Sequence, residues 1–136
     1  MIDEELKTQP IRILIVEDNR VNMFLSKLVI EQVLPKAVLL EAQNGEIGVE
    51  LFEKEKLDLI LMDVEMPIMN GYEATKRIRE IESRKGKDKQ TPIIAITAGL
   101  LKNYEAKSFE SGMDDLLNKP FDSDEFELCV TKWISH

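Results

Sequence analysis

The sequence predicts an α/β fold, an open doubly wound sheet of five parallel strands with helices on both faces. Three observations carry this. Strand-length apolar runs alternate with helix-length segments five times along the 136 residues. The runs are continuously apolar rather than alternating, as strands buried on both faces of a parallel sheet must be. The chain is also too short for an eight-unit barrel, which needs about 200 residues or more.

Residues 1–10 read as a polar leader or linker ending at Pro10, and 11–136 as one domain. Ile11 to Val16 is the first strand, apolar except for Arg12, and Glu17-Asp18-Asn19-Arg20 punctuates it. Val21 to Leu34 is too long for a strand and reads as a helix stopped by Pro35. Ala37 to Ala42 is the second strand; Asn44 and Gly45 then turn the chain into an amphipathic helix over 46–55. Leu57 to Met62 is the third strand and ends at Asp63. A loop carrying Pro67 leads to Asn70, which caps a helix from Tyr72 to Ser83. Arg84, Lys85, Lys87 and Lys89 make the following loop basic, and a solvated role is expected for them. Pro92 to Ile96 is the fourth strand, ending at Thr97. A helix over 101–111 is closed by Gly112. Asp115 to Asn118 is the fifth strand, followed by Lys119-Pro120. The last helix, Phe121 to Ile134, takes Asp122 or Ser123 as its cap and turns Cys129 and Trp133 to the core.

Composition excludes several function classes. Eighteen basic against 26 acidic residues give a net charge of −8. Such a chain has no general attraction for nucleic acid or for an anionic membrane surface. One cysteine rules out an internal disulfide and a cysteine zinc site. The one histidine, His136, is the last residue, which removes a Ser-His-Asp triad and a Cys-His pair. No apolar stretch reaches the roughly 18 residues of a membrane span, and the polar start is no signal peptide. A cytoplasmic location is expected. The chemistry is left to carboxylates, hydroxyls and lysines.

In an open parallel sheet, function gathers at the carboxyl ends of the strands. Those ends carry Glu17 and Asp18, then Asp63, Thr97 and Lys119. With strand order 2-1-3-4-5, the first and third strands flank the crossover point and bring the three acids to one rim. Two carboxylates at 4 Å repel by about 1 kcal/mol in water and about 4 at an effective dielectric of 20. One lysine does not cancel three such pairs. Hard carboxylate oxygens in this number suit Mg²⁺, which prefers one or two of them together with waters and a phosphate oxygen. The rim therefore reads as a Mg²⁺ site poised for phosphate. One carboxylate is available as nucleophile, with Lys119 and Thr97 to receive phosphoryl oxygens.

These residues lie in longer matching stretches. They are Ile13-Leu14-Ile15-Val16-Glu17-Asp18-Asn19-Arg20-Val21-Asn22, then Leu59 to Gly71 around Met62-Asp63-Val64-Glu65-Met66-Pro67. Further on come Pro92-Ile93-Ile94-Ala95-Ile96-Thr97-Ala98, Gly112-Met113-Asp114-Asp115 and Lys119-Pro120. In these five motifs, over about residues 11–134, the chain resembles the receiver domains of two-component response regulators. It is most similar to receivers attached to hybrid histidine kinases. The resemblance implies a flavodoxin-like (βα)5 fold. It implies that Asp63 is the phosphoacceptor, that Asp18 and Asp63 ligate Mg²⁺, and that Glu17 holds the metal through water. Glu65 would contribute its backbone carbonyl. Thr97 matches the switch hydroxyl, Lys119 the lysine that pairs with phosphate, and the Lys119–Pro120 bond a cis peptide. At the second switch position Leu116 stands where receivers carry Tyr or Phe, and it is smaller and lacks a hydroxyl.

The implied partner is a histidine kinase or a histidine phosphotransfer protein, docked on the first long helix. At 100° per residue, Val21, Leu25, Leu28 and Val29 share a face and are expected in the core. Met23, Ile30 and Leu34 fall nearly opposite, with Phe24 to one side. Met23 and Phe24 are accordingly expected in the docking patch, and Leu100, Leu101 and Tyr104 near a surface that changes on phosphorylation. The chain leaves no segment for an output domain, so a stand-alone receiver or a piece of a hybrid kinase is expected. Two rivals stand beside this reading. Leu116 favours an interaction module that works without phosphorylation. Glu65, two residues after Asp63, echoes the acid of phosphatases that form an aspartyl-phosphate.

Overall fold

The computed structural model describes residues 4–86 and 88–134. Lys87 of the basic loop, His136 and the first three leader residues lie outside the described residues. The strands are β1 (Arg12–Val16), β2 (Val38–Ala42), β3 (Leu59–Asp63), β4 (Ile93–Thr97) and β5 (Asp115–Asn118). The helices are α1 (Glu4–Thr8), α2 (Arg20–Val33), α3 (Gly45–Lys54), α4 (Gly71–Arg84), α5 (Glu105–Ser111) and α6 (Ser123–Trp133). All pairings are parallel, in the expected order β2-β1-β3-β4-β5.

The pleat sends successive strand residues to opposite faces, and each face has its own apolar cluster. Ile13, Ile15, Leu59, Leu61, Ile94 and Ile96 pack with α2 and α6, where Phe126 stacks on Phe121 at a centroid distance of 5.7 Å. Leu14, Val16, Ile60, Met62, Ile93 and Ala95 pack with α3, α4 and Leu116. β3 and β4 are buried along their whole length, which is why they read as unbroken apolar runs.

Local signals set most helix boundaries. Asn44, Asn70 and Asp122 accept hydrogen bonds from backbone N–H groups in the first turns of α3, α4 and α6. Asn70 with Glu73, and Asp122 with Glu125, form full capping boxes. Gly112 ends α5 in the left-handed region, at φ 109°, where a side chain would be strained. The predicted helix over 101–111 is broken: Leu101–Asn103 is a 3₁₀ turn, and α5 starts only after Tyr104.

Two expectations are corrected. Part of the leader belongs to the core, because α1 buries Leu6 against the cluster that holds Ile11, Ile13 and Val130. A single leucine among polar residues gives no periodic signal. The faces of α2 are also largely inverted, although Val29, expected in the core, does pack against it. Met23, Ile30 and Val33 are buried, whereas Val21, Phe24, Leu25 and Leu28 are exposed, Val21 at 66% and Phe24 at 60%. Both stripes are apolar, so periodicity cannot tell which points inward. Packing decides: Met23, Ile30 and Val33 join the cluster of Ile13, Phe126 and Val130, while the Asn19 side chain caps the helix by accepting the Asn22 N–H at 2.9 Å. Met23, offered to a partner by the sequence, is therefore a core residue. Cys129 is buried as expected, and burial, with the charge of Asp115, pushes its thiol up to about 12. Trp133 is half-buried, with its indole N–H donating to Asp115 at 2.8 Å.

Truncating Leu6 to alanine should lower stability by about 2–5 kcal/mol, read as a lower urea midpoint. An unchanged midpoint would return residues 4–8 to the status of a free leader.

Candidate functional site

The strand register assembles the site. Val16 pairs with Met62, so Glu17 emerges abreast of Asp63. Asp63 pairs with Ile96, and Thr97 follows one step on. Thr97 in turn pairs with Asn118, and the Lys119 N–H donates to the Thr97 carbonyl at 2.8 Å. Glu17, Asp63, Thr97 and Lys119, far apart in sequence, thus meet at one rim, as their positions at strand ends predict.

One ligand atom from each of Glu17, Asp18 and Asp63 lies within 4.8 Å of the other two. Glu17 and Asp63 are buried and Asp18 is exposed. The Lys119 ammonium is 3.0 Å from Asp63 Oδ2 and 3.4 Å from Glu17 Oε1. Two backbone groups hold the carboxylates from the other side. The Asn19 N–H donates to Glu17 Oε2 at 3.1 Å, and the Glu65 N–H to Asp63 Oδ1 at 3.3 Å. Thr97 is fully buried, and its hydroxyl has no hydrogen-bond partner among the described residues.

The charge imbalance shows in the titration of the site. Burial, reinforced by the Asp63 charge and opposed by the Asn19 N–H, pushes the Glu17 carboxyl up from 4.5 to about 7. Burial also raises Asp63, against the pull of Lys119. Lys119 itself is desolvated, but its two acidic neighbours outweigh that and hold its pKa above the ordinary value. The crowd is negative, buried and made of hard oxygens, which is what a divalent cation needs. Opposite ligands of octahedral Mg²⁺ lie about 4.2 Å apart, twice the bond length of roughly 2.1 Å. The spacing of the three acids therefore fits direct ligation by some and contact through water for the rest.

The Glu65 side chain turns outward and accepts the Tyr104 hydroxyl at 3.1 Å. Leu116 is 8% exposed and packs in the α3–α4 cluster. The Lys119–Pro120 peptide is cis. The Tyr104–Glu65 bond and the bond from the Asn118 amide to the Gly99 carbonyl, at 2.6 Å, were not foreseen. No spacing rule links such residues.

A five-stranded open sheet of this order, with an acidic pocket at its crossover point, defines a flavodoxin-like α/β protein whose site suits a divalent cation. The chain belongs to the response regulator receiver domain family, whose model matches residues 13–131. It is 36% identical to the sensor protein GacS of Pseudomonas syringae over 97% of its own length but only 14% of that protein's. It is 34% identical to the two-component response regulator ORR41 of Oryza sativa, over 90% of this chain and 94% of that one. The crystal structure of the receiver domain of the sensor histidine kinase PA1611 from Pseudomonas aeruginosa contains magnesium in its active site cleft. It superposes with a TM-score of 0.79 at 32% identity, over 92% of this chain and 98% of that one. A second match is in the co-crystal structure of the Saccharomyces cerevisiae phosphotransfer protein Ypd1 with the receiver domain of Ssk1. Its TM-score is 0.82 at 31% identity, over 90% of this chain and 88% of that one. The chain thus spans a small fraction of its sensor-kinase relatives. Among the described residues no helix is long and apolar enough to cross a membrane.

The raised acids give a pH dependence. From about pH 4.5 to 7 the folded metal-free protein keeps a proton on Glu17 that the unfolded chain has lost. Stability must therefore fall as pH rises through that window, and Asp63 acts in the same direction. In EDTA the melting temperature should drop between pH 5 and about 7, and Glu17→Gln should flatten the drop. A melting temperature that climbs through this window in the unmodified protein would contradict the assignment.

Proposed function

We propose that this domain accepts a phosphoryl group on Asp63 from a phosphohistidine of a partner protein and acts as a signalling switch rather than as a metabolic enzyme. One observation carries the reading: the Lys119 ammonium, 3.0 Å from Asp63, in a buried acidic pocket beside an unpartnered Thr97 hydroxyl. An Asp63 oxygen attacks phosphorus, the new O–P bond forms and the N–P bond breaks. The electron pair returns to the imidazole nitrogen. Lys119 moves from its carboxylate contacts toward the incoming oxygens, and the Thr97 hydroxyl donates to another. Mg²⁺ held by Asp18 and Asp63, by Glu17 through water and by the Glu65 backbone carbonyl would supply further charge neutralisation. Water attack on the acyl phosphate later restores the carboxylate and releases phosphate.

The partner surface is the outer face of α2. Phe24, Val21, Leu25 and Leu28 form an exposed apolar stripe. A groove of about 170 Å³ lined by Leu25, Leu28, Pro120 and Phe121 runs from it to Lys119. A helix bearing a phosphohistidine, laid on this stripe, would have the site within reach. Such a partner is a histidine kinase or a histidine phosphotransfer protein, which puts the domain in the cytoplasm. The domain serves equally as a receiver of a hybrid histidine kinase or as a stand-alone receiver.

Intact mass after incubation with acetyl phosphate tests the chemistry. One phosphoryl group should appear with Mg²⁺ and not with EDTA, and none on Asp63→Asn. Lys119→Ala should slow uptake by about 10²-fold, the order found when one charge-stabilising donor is removed. If the unmodified protein took no phosphoryl group and Mg²⁺ did not raise its melting temperature, an interaction module independent of phosphorylation would be the better reading.

Docking has a separate test. Phe24→Ala should slow transfer from a phosphohistidine protein about tenfold, as loss of a buried aromatic anchor does, while uptake from acetyl phosphate is kept. Equal slowing with both donors would place the defect outside the docking surface.

A further inference from the structure

We propose that Tyr104 and Glu65 form a latch across the mouth of the site, and that Tyr104 is the residue through which the state of Asp63 reaches the surface. The inference rests on the phosphoacceptor reading of Asp63. The Tyr104 hydroxyl donates to Glu65 Oε1 at 3.1 Å. Each partner belongs to a segment that leaves a site strand. Glu65 is two residues past Asp63, and its own N–H holds Asp63 Oδ1. Tyr104 ends the segment that starts at Thr97 and passes through Gly99 and the 3₁₀ turn.

The Tyr104 ring is tied closely to that segment. A Cβ on Gly99 would stand 3.0 Å from ring atom Cε2 and 3.2 Å from the hydroxyl oxygen, so glycine makes room for the ring. On its other side the Gly99 carbonyl accepts from Asn118, the neighbour of Lys119, at 2.6 Å. A shift of Thr97 therefore cannot leave Tyr104 in place. Leu116, the corresponding side chain on β5, is buried and apolar and has nothing to exchange with the rim.

Phosphorylation acts on both ends of the latch. The phosphoryl group brings a charge near −2 and three acceptor oxygens. The Thr97 hydroxyl, buried without a partner, gains one by moving inward, and it draws the segment from Ala98 to Tyr104 with it. The same charge repels the Glu65 carboxylate. Both effects open the bond, so the closed latch belongs to the unphosphorylated state. By linkage, breaking the latch must favour the phosphorylated one.

The probe is beryllofluoride with Mg²⁺, a phosphoryl mimic that binds a carboxylate, titrated by NMR on amides 98–104. Asp63→Asn is the control. The unmodified protein should bind, with shifts along that segment. Tyr104→Phe should bind about fivefold more tightly, the scale of one net hydrogen bond, and Glu65→Ala, which removes the acceptor, should bind more tightly as well. Their free-state shifts should move toward the bound positions, and Tyr104→Phe should add nothing further in the Glu65→Ala background, where the bond is already absent. If the unmodified protein binds and Tyr104→Phe binds equally well with unmoved shifts, the latch is overturned while the phosphoacceptor reading stands. If the double variant shows the sum of two independent effects, Tyr104 does not act through Glu65 and the latch is likewise overturned. If the unmodified protein does not bind, the phosphoacceptor reading fails, and the latch with it.

Discussion

The structure depends on the pairing of β1 with β3. Once Val16 lies beside Met62, Glu17 and Asp63 must leave the sheet side by side, and neither can retreat into solvent. Two buried carboxylates at such a distance repel by several kcal/mol at the effective dielectric of a protein, a large share of what holds a domain folded. Lys119 answers part of this from just past β5, two strands from β3 and three from β1, with contacts to both acids. The rest is carried by the Asn19 and Glu65 N–H groups and by the rigidity of the strands behind them. Fully buried β3 and β4 are what make the arrangement possible. A sheet that could slip would relieve the repulsion by moving the acids apart.

The opposite end of the sheet is fastened by a different charge. Arg79, on α4, donates to the Thr91 and Gly112 carbonyls and pairs with Glu82 and Asp114 at 2.8 and 2.9 Å. Asp114 also accepts the Ile93 N–H. This network clamps the starts of β4 and β5 to each other and to α4. Thr97 and Lys119 ride at the far ends of those two strands. Every charge in the network has a partner, which is the condition under which buried ions hold structure rather than strain it. The molecule thus pairs its charges at the base of the sheet and leaves them in excess at the rim.

What the sequence revealed follows from how each feature is encoded. The strands were legible because burial on two faces demands unbroken apolar runs. The site was legible because an acid, a hydroxyl or a lysine directly after such a run can only lie on one rim. The caps of α4 and α6 were legible because Asn70 and Asp122 act over three residues. The orientation of α2 was not, since both of its stripes are apolar and packing against the sheet and α6 decides between them. Leu6 was lost because one residue has no period. The Arg79 clamp and the Tyr104–Glu65 bond span 35 and 39 residues at their longest. Contacts between loop and helix side chains at that separation leave no mark on local pattern.

The inversion of α2 also changes what the helix is for. Had Val21, Leu25 and Leu28 been core, the outward face would have carried Met23, Ile30 and Leu34, with Phe24 to one side. With Met23, Ile30 and Val33 inward, the helix is anchored against β1 and α6, and a broad apolar stripe faces solvent. Isolated exposed apolar side chains are ordinary, but a contiguous stripe on one helix implies a partner. This one borders the groove that ends at Lys119. The same rotation that buries Met23 therefore brings the exposed stripe beside the acidic rim. A helix docked there would lie against the site, within reach of Lys119 at the end of the groove.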